Sequence, residues 1–157
     1  MVPLPRFKSD CDERFVVHQE YKLDEVAIRN MAFHAAYFAS LAEAHRNLAE
    51  QFDGRFPDPE YLRHYALVEC GYYTESNFVM DTAKDAIALA SIIRKRSKYA
   101  VIRVSGNVVK VFDAKSQAVP AMEKEEFDAS AKAVLDLVSS MARTTPAELK
   151  KNAGKSA

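Results

Sequence analysis

Ala100-Val-Ile-Arg-Val-Ser-Gly-Asn-Val-Val-Lys-Val-Phe112 decides the fold. Two runs rich in β-branched residues flank Gly106-Asn107, a pair suited to a two-residue hairpin turn because both residues tolerate positive φ. Closing that turn sets Ser105 opposite Val108, Val104 opposite Val109, and Arg103 opposite Lys110. Ile102 then meets Val111, and Val101 meets Phe112. Strand side chains alternate between faces, so Ile102, Val104, Val109 and Val111 form an apolar face expected in the core. Arg103 and Lys110 share the other face with Val101 and Phe112.

Away from the hairpin the period lengthens to that of helices. Upstream, Asp81-Thr82 opens a helix reaching about Ser97, with Thr82, Ala86, Leu89 and Ile93 on one side. Asp58-Pro59-Glu60 combines a capping aspartate, a proline in the first helical position and an acid in the first turn. That helix is expected to run to about Cys70, with Gly71 ending it. A long helix begins near Asp24, its apolar positions Ile28, Met31, Ala35, Phe38, Leu41, His45, Leu48 and Phe52 spaced by three and four. The segment 52–57 breaks it. Residues 14–21 (RFVVHQEY) read as a strand. Downstream, a helix spans about 123–141, opened by Glu123, Glu125 and Glu126, and Thr145-Pro146 starts a short last one. The class is α+β: a mostly helical chain, with three long helices plus a shorter one packed on a small antiparallel sheet with a central hairpin near 100–112. Residues 1–157 form a single domain, with 1–10 and 153–157 expected to be flexible.

The same hairpin lies inside a charge anomaly. The formal net charge of the 157-residue chain is +0. Yet residues 94–115 carry seven bases (Arg94, Lys95, Arg96, Lys98, Arg103, Lys110, Lys115) and one acid, Asp113. Residues 1–93 hold nine bases and fifteen acids, and residues 116–157 six of each. A basic block on a neutral protein points to a polyanionic partner. With Tyr99 and Phe112 interleaved, it has the two ingredients of single-strand binding: cations for phosphates and rings for bases. Two plainer readings fit the same residues. Cations favour helix C-termini, and acids from elsewhere in the chain can neutralise an opposed Arg103–Lys110 pair.

Little in the sequence points to catalysis. There is no glycine-rich phosphate loop, and the chain has only four glycines. Of His18, His34, His45 and His64, the two on the long helix are eleven residues apart, which matches no common ligand pair. Glu43, Glu50, Asp53, Asp58 and Glu60 are explained by helix faces and caps. Cys11 and Cys70 match no metal or redox motif; they are compatible with a single disulfide, and two unpaired thiols in a reducing compartment are the expectation. No signal peptide or spanning stretch is recognisable, so a cytoplasmic protein without membrane contact is expected. No metal, cofactor or catalytic residue is assigned.

Two groups of short motifs resemble the lambda Orf (NinB-type) phage recombination proteins and their uncharacterised phage relatives. The first comprises Arg29-Asn30-Met-Ala-Phe33, Phe38-Ala-Ser-Leu41, Gly54-Arg55-Phe-Pro57, Tyr61-Leu-Arg63 and Ala66-Leu67. The second comprises Gly106-Asn-Val-Val109, Lys115-Ser-Gln117 and Met122-Glu-Lys-Glu-Glu-Phe127. They occur in the family's order over roughly 29–140. The family's basic, tryptophan-rich tail is missing, and Ile28-Arg29-Asn30 stands where that family has Asp-Gln-Asn. The resemblance implies a homodimeric, non-catalytic recombination mediator that binds single-stranded DNA and helps load a recombinase onto strand coated by the host single-strand-binding protein.

Three functions are therefore expected of such a chain. The first is a phage or prophage single-stranded DNA-binding accessory protein, gripping phosphates through Arg94, Lys95, Arg96, Lys98, Arg103, Lys110 and Lys115, with Tyr99 and Phe112 available to stack. The second is a phage-encoded adaptor or inhibitor of a host protein, and the third a small metal-dependent nuclease. Dimerisation is expected through the alanine-rich flank of helix 24–51 and the apolar side of helix 123–141.

Overall fold

Capping chemistry sets the helix boundaries. In the computed structural model, which describes residues 31–49, 54–118 and 121–155, the chain runs α1 (Met31–Ala49), α2 (Pro59–Glu69), β1 (Tyr73–Val79), α3 (Ala83–Arg96), β2 (Val101–Ser105), β3 (Val108–Ala114), α4 (Lys124–Met141) and α5 (Pro146–Ala153). Asp58 caps α2 by accepting from Tyr61 N at 2.7 Å. At the other end, Tyr72 N donates to Leu67 O and Gly71 N to Val68 O, with Gly71 at φ 88°. That is a Schellman closure, which requires the left-handed residue that glycine supplies without strain. Thr82 caps α3, and Thr145 with Glu148 forms a reciprocal capping box on α5.

The fold is α+β, with five helices among the described residues packed against a three-stranded antiparallel sheet of order β1-β3-β2. The hairpin register agrees at every pair with the sequence reading, from Val101↔Phe112 to Ser105↔Val108. The long first helix is described from Met31 onward. The expected start at Asp24, the strand at 14–21 and the flexible residues 1–10 lie outside the described residues.

Several expectations require correction. β1 was not anticipated, and it makes β3 rather than the hairpin as a unit the centre of the sheet. The buried stripe of α1 is Tyr37, Ser40, Leu41, Ala44 and Leu48, with Ala35 exposed and Phe38 and His45 half-buried. Aromatic and alanine residues surround this helix, so its apolar period fits more than one face. Val104 is 36 % exposed because it sits beside the hairpin turn, at the margin of its face. Ala153, expected in a flexible tail, is buried at the end of α5.

Two apolar clusters result. Tyr37, Leu41, Leu48, Leu62, Leu67, Phe127, Val134, Val138 and Leu149 join α1, α2, α4 and α5 into a bundle. Ala86 and Ala90 of α3 lie over Val109 and Val111 of β3, where their small side chains let the helix approach the sheet. The opposite side of β3 faces the bundle through Ala114. The apolar side of α4, offered above as a dimer surface, is consumed inside the monomer, since Phe127, Ala131, Val134 and Val138 are all buried.

Gln117, 4 % exposed, ties the sheet to the bundle. Its Oε1 accepts from Tyr37 Oη at 3.2 Å and Arg63 Nη1 at 2.9 Å. Its Nε2 donates to Ser130 Oγ at 2.8 Å. Removing that amide strands the buried Tyr37 hydroxyl and takes one bond each from Ser130, which keeps Phe127 O, and from Arg63, which keeps Glu60. Gln117→Ala should lower unfolding free energy by about 3 kcal/mol, measured by urea denaturation monitored by circular dichroism.

Candidate nucleic-acid interface

Folding divides the basic block. α3 ends after Arg96 with Ser97 N donating to Ile93 O, and Arg94, Lys95 and Arg96 form its last turn. All three are exposed, and none has an ion-pair partner among the described residues. The carbonyl end of the helix explains why cations are tolerated there side by side.

The other four cations each meet an acid. Lys98 Nζ lies 2.7 Å from Asp58 Oδ2, the same carboxylate that caps α2. Arg103 Nη2 reaches Glu69 Oε1 at 2.5 Å, and its guanidinium lies over the Phe112 ring, 5.1 Å from the centroid. Lys110 Nζ pairs with Glu75 at 3.1 Å and Lys115 Nζ with Glu126 at 2.9 Å. The hydrogen bond from Lys98 holds the Asp58 carboxyl below its ordinary range, and the bond from Lys110 does the same for Glu75. Arg103 and Lys110, though directly opposed, are thus satisfied from α2 and β1 respectively. These acids lie far away in sequence, and the only sequence signal for them was the acidic surplus of residues 1–93.

The two aromatic residues differ in availability. Phe112 is 5 % exposed, packed edge-on against Tyr73 with Arg103 above it. Its ring has no open face for a base, which corrects the stacking role given to it above. Tyr99 is half-buried and stacks on His64 with centroids 4.8 Å apart, while Lys98 Nζ sits 5.0 Å from its centroid. Burial, and secondarily Arg63, pushes the His64 pKa below its usual value.

Among the described residues, no group of three or more His, Cys, Asp or Glu side chains is arranged to hold a metal ion. Cys70 carries a free, half-buried thiol whose pKa is raised by burial. No described helix is long and apolar enough to cross a membrane. No family model, curated protein or solved structure matches the chain.

The His64–Tyr99 stack carries a pH signature. A histidine whose pKa is depressed by folding binds its proton more readily when unfolded. Its contribution is full above the unfolded value, about 6.5, and is lost as pH falls through the lower folded value. Thermal unfolding from pH 7.5 to pH 5 should show a falling midpoint, and His64→Gln should reduce that dependence while leaving the pH 7.5 fold intact by circular dichroism.

Proposed function

We propose that the protein is a non-catalytic, single-stranded DNA-binding accessory protein whose primary phosphate contacts are Arg94, Lys95 and Arg96. The observation that carries this reading is the cationic last turn of α3, without an ion-pair partner among the described residues, on a chain of zero formal charge. Three adjacent solvent-facing bases, with no acidic partner among the described residues, favour a polyanion, and phosphate contacts supply affinity without reading sequence. Tyr99 and Lys98, next along the chain, extend the surface. Arg103, Lys110 and Lys115 form a reserve: exposed ion pairs hold weakly, so a phosphate can displace Glu69, Glu75 or Glu126. The resemblance to lambda Orf-type proteins supplies the biological setting, a phage recombination mediator working beside a single-strand-binding protein or a recombinase in the cytoplasm.

Neutralising three phosphates on a single strand gives log affinity a slope of about −2 against log salt. Fluorescence-anisotropy titrations with labelled oligothymidylate at several salt concentrations should show that slope. The double variant Arg94→Glu, Arg96→Glu should lose at least about tenfold in affinity at low salt. Absence of binding at low salt, or a variant that binds like the parent, would overturn the proposal. Capture of an acidic protein that survives nuclease treatment, without oligonucleotide binding, would favour the adaptor reading.

A further inference from the structure

The face of the sheet turned away from α3 is covered along only part of its length. Val109 and Val111 lie under α3, so alternation sends Val108, Lys110, Phe112 and Ala114 to the other face of β3. Phe112 is buried there, and Ala114 packs on the bundle. Toward the hairpin turn the cover ends. The register sets Asn77, Lys110 and Arg103 in one row across the sheet, and all of them are exposed. Neighbouring strands lie about 5 Å apart, so the two cations of this row can converge on a single anion.

Carboxylates from elsewhere in the chain fill that position. Glu69 takes Arg103, and Glu75 takes Lys110 while also accepting a hydrogen bond from Asn77. Glu69 is the last residue of α2, where the partial negative charge of the helix end disfavours an acid. Its stay there is explained by Arg103, not by its own helix. The paired side chains are 30 % to 55 % exposed, so solvent screens both contacts and each holds weakly. Arg103 has a second support, because its guanidinium lies over the buried Phe112 ring. It therefore stays in place when Glu69 leaves, with the flat donor fork that suits a phosphate.

We propose that Arg103 and Lys110 form a second phosphate site for the single strand, masked by Glu69 and Glu75 acting as internal competitors. This site, which rests on the single-strand-binding reading above, gives that binding a threshold. Arg94, Lys95 and Arg96 capture the strand first, and tethering then raises the phosphate concentration at the sheet face. A phosphate arriving there exchanges one anionic partner for another and leaves a carboxylate to recruit a counterion. Net counterion release at the masked row is therefore small, and the cluster at the end of α3 sets the salt dependence of the parent protein. Neutralising the two acids converts the row into an ordinary phosphate site.

Anisotropy titrations of the full chain with labelled oligothymidylate, repeated across salt concentrations, test the mask. The parent should show a slope of about −2, and the double variant Glu69→Gln, Glu75→Gln a slope of about −3.5, with at least about fivefold tighter binding at low salt. Each single substitution should give part of that steepening. Adding Arg103→Gln and Lys110→Gln to the double variant should restore the parent slope. Glu123→Gln with Glu125→Gln removes equal charge from exposed positions at the start of α4 and should leave the slope unchanged. Circular dichroism verifies that every variant is folded. A parent that binds beside a double variant of unchanged slope overturns the mask and leaves the α3 cluster standing. So does steepening shared by the α4 variant, steepening that survives loss of Arg103 and Lys110, or tighter binding of polyglutamate without tighter binding of the oligonucleotide. A parent that binds nothing at low salt removes the reading beneath; the masked site then stands only if the double variant binds and loss of Arg103 and Lys110 abolishes that binding.

Discussion

Gln117 is the constraint on which the rest of the structure depends. The helical bundle and the sheet with α3 have separate apolar clusters, joined by the packing of Ala114 on the bundle side of β3, and a buried polar junction adds direction to that contact. The segment after β3 delivers a buried amide between α1, α2 and α4, where Tyr37, Arg63 and Ser130 bond to it. Burial raises the Tyr37 pKa to about 12, because the ionised phenol would have to be accommodated away from water. Arg63 also pairs with Glu60 at 2.8 Å and lies over the Phe38 ring, so the same network orients α2. A buried polar group with every partner present is specific in a way that apolar contact is not.

Orienting α2 has a consequence for the charge pattern. Asp58 lies at the start of α2 and Glu69 at its end, and these two acids reach Lys98 and Arg103. A helix placed by a buried amide thus neutralises two cations of the basic block, while Glu75 of β1 and Glu126 of α4 take Lys110 and Lys115. Arg94, Lys95 and Arg96 are left out because α3 lies over β2 and β3 on the side away from α2, with Val109 and Val111 beneath it. Among the described residues, the basic block is therefore a partly neutralised surface with one cluster that meets no acid.

What the sequence revealed follows the range of the interactions involved. The Gly106-Asn107 turn, the hairpin register and the caps at Asp58, Thr82 and Thr145 are local, and they were legible because a few adjacent residues determine them. β1 was not legible: Thr74, Ser76 and Asn77 are polar, its positions 74–79 are exposed on both faces, and no apolar alternation marks the strand. The buried stripe of α1 was misplaced because Phe33, Tyr37 and Phe38 give it aromatic side chains on adjacent faces. The ion pairs that satisfy Arg103 and Lys110 span 34 and 35 residues, and they depend on packing that no local pattern encodes. For the same reason the burial of Phe112 between Tyr73 and Arg103 emerged only with β1 in place.

Among the described residues, folding leaves Arg94 and Arg96 without an acidic partner while Glu69 holds Arg103. The most direct test is to follow the arginine side-chain Nε–Hε resonances in two-dimensional nitrogen–proton spectra during titration with a single-stranded oligonucleotide. Arg94 and Arg96 should shift at the first additions, with Arg103 unmoved until their cluster is saturated. Early movement of Arg103 with Arg94 and Arg96 unchanged would contradict it.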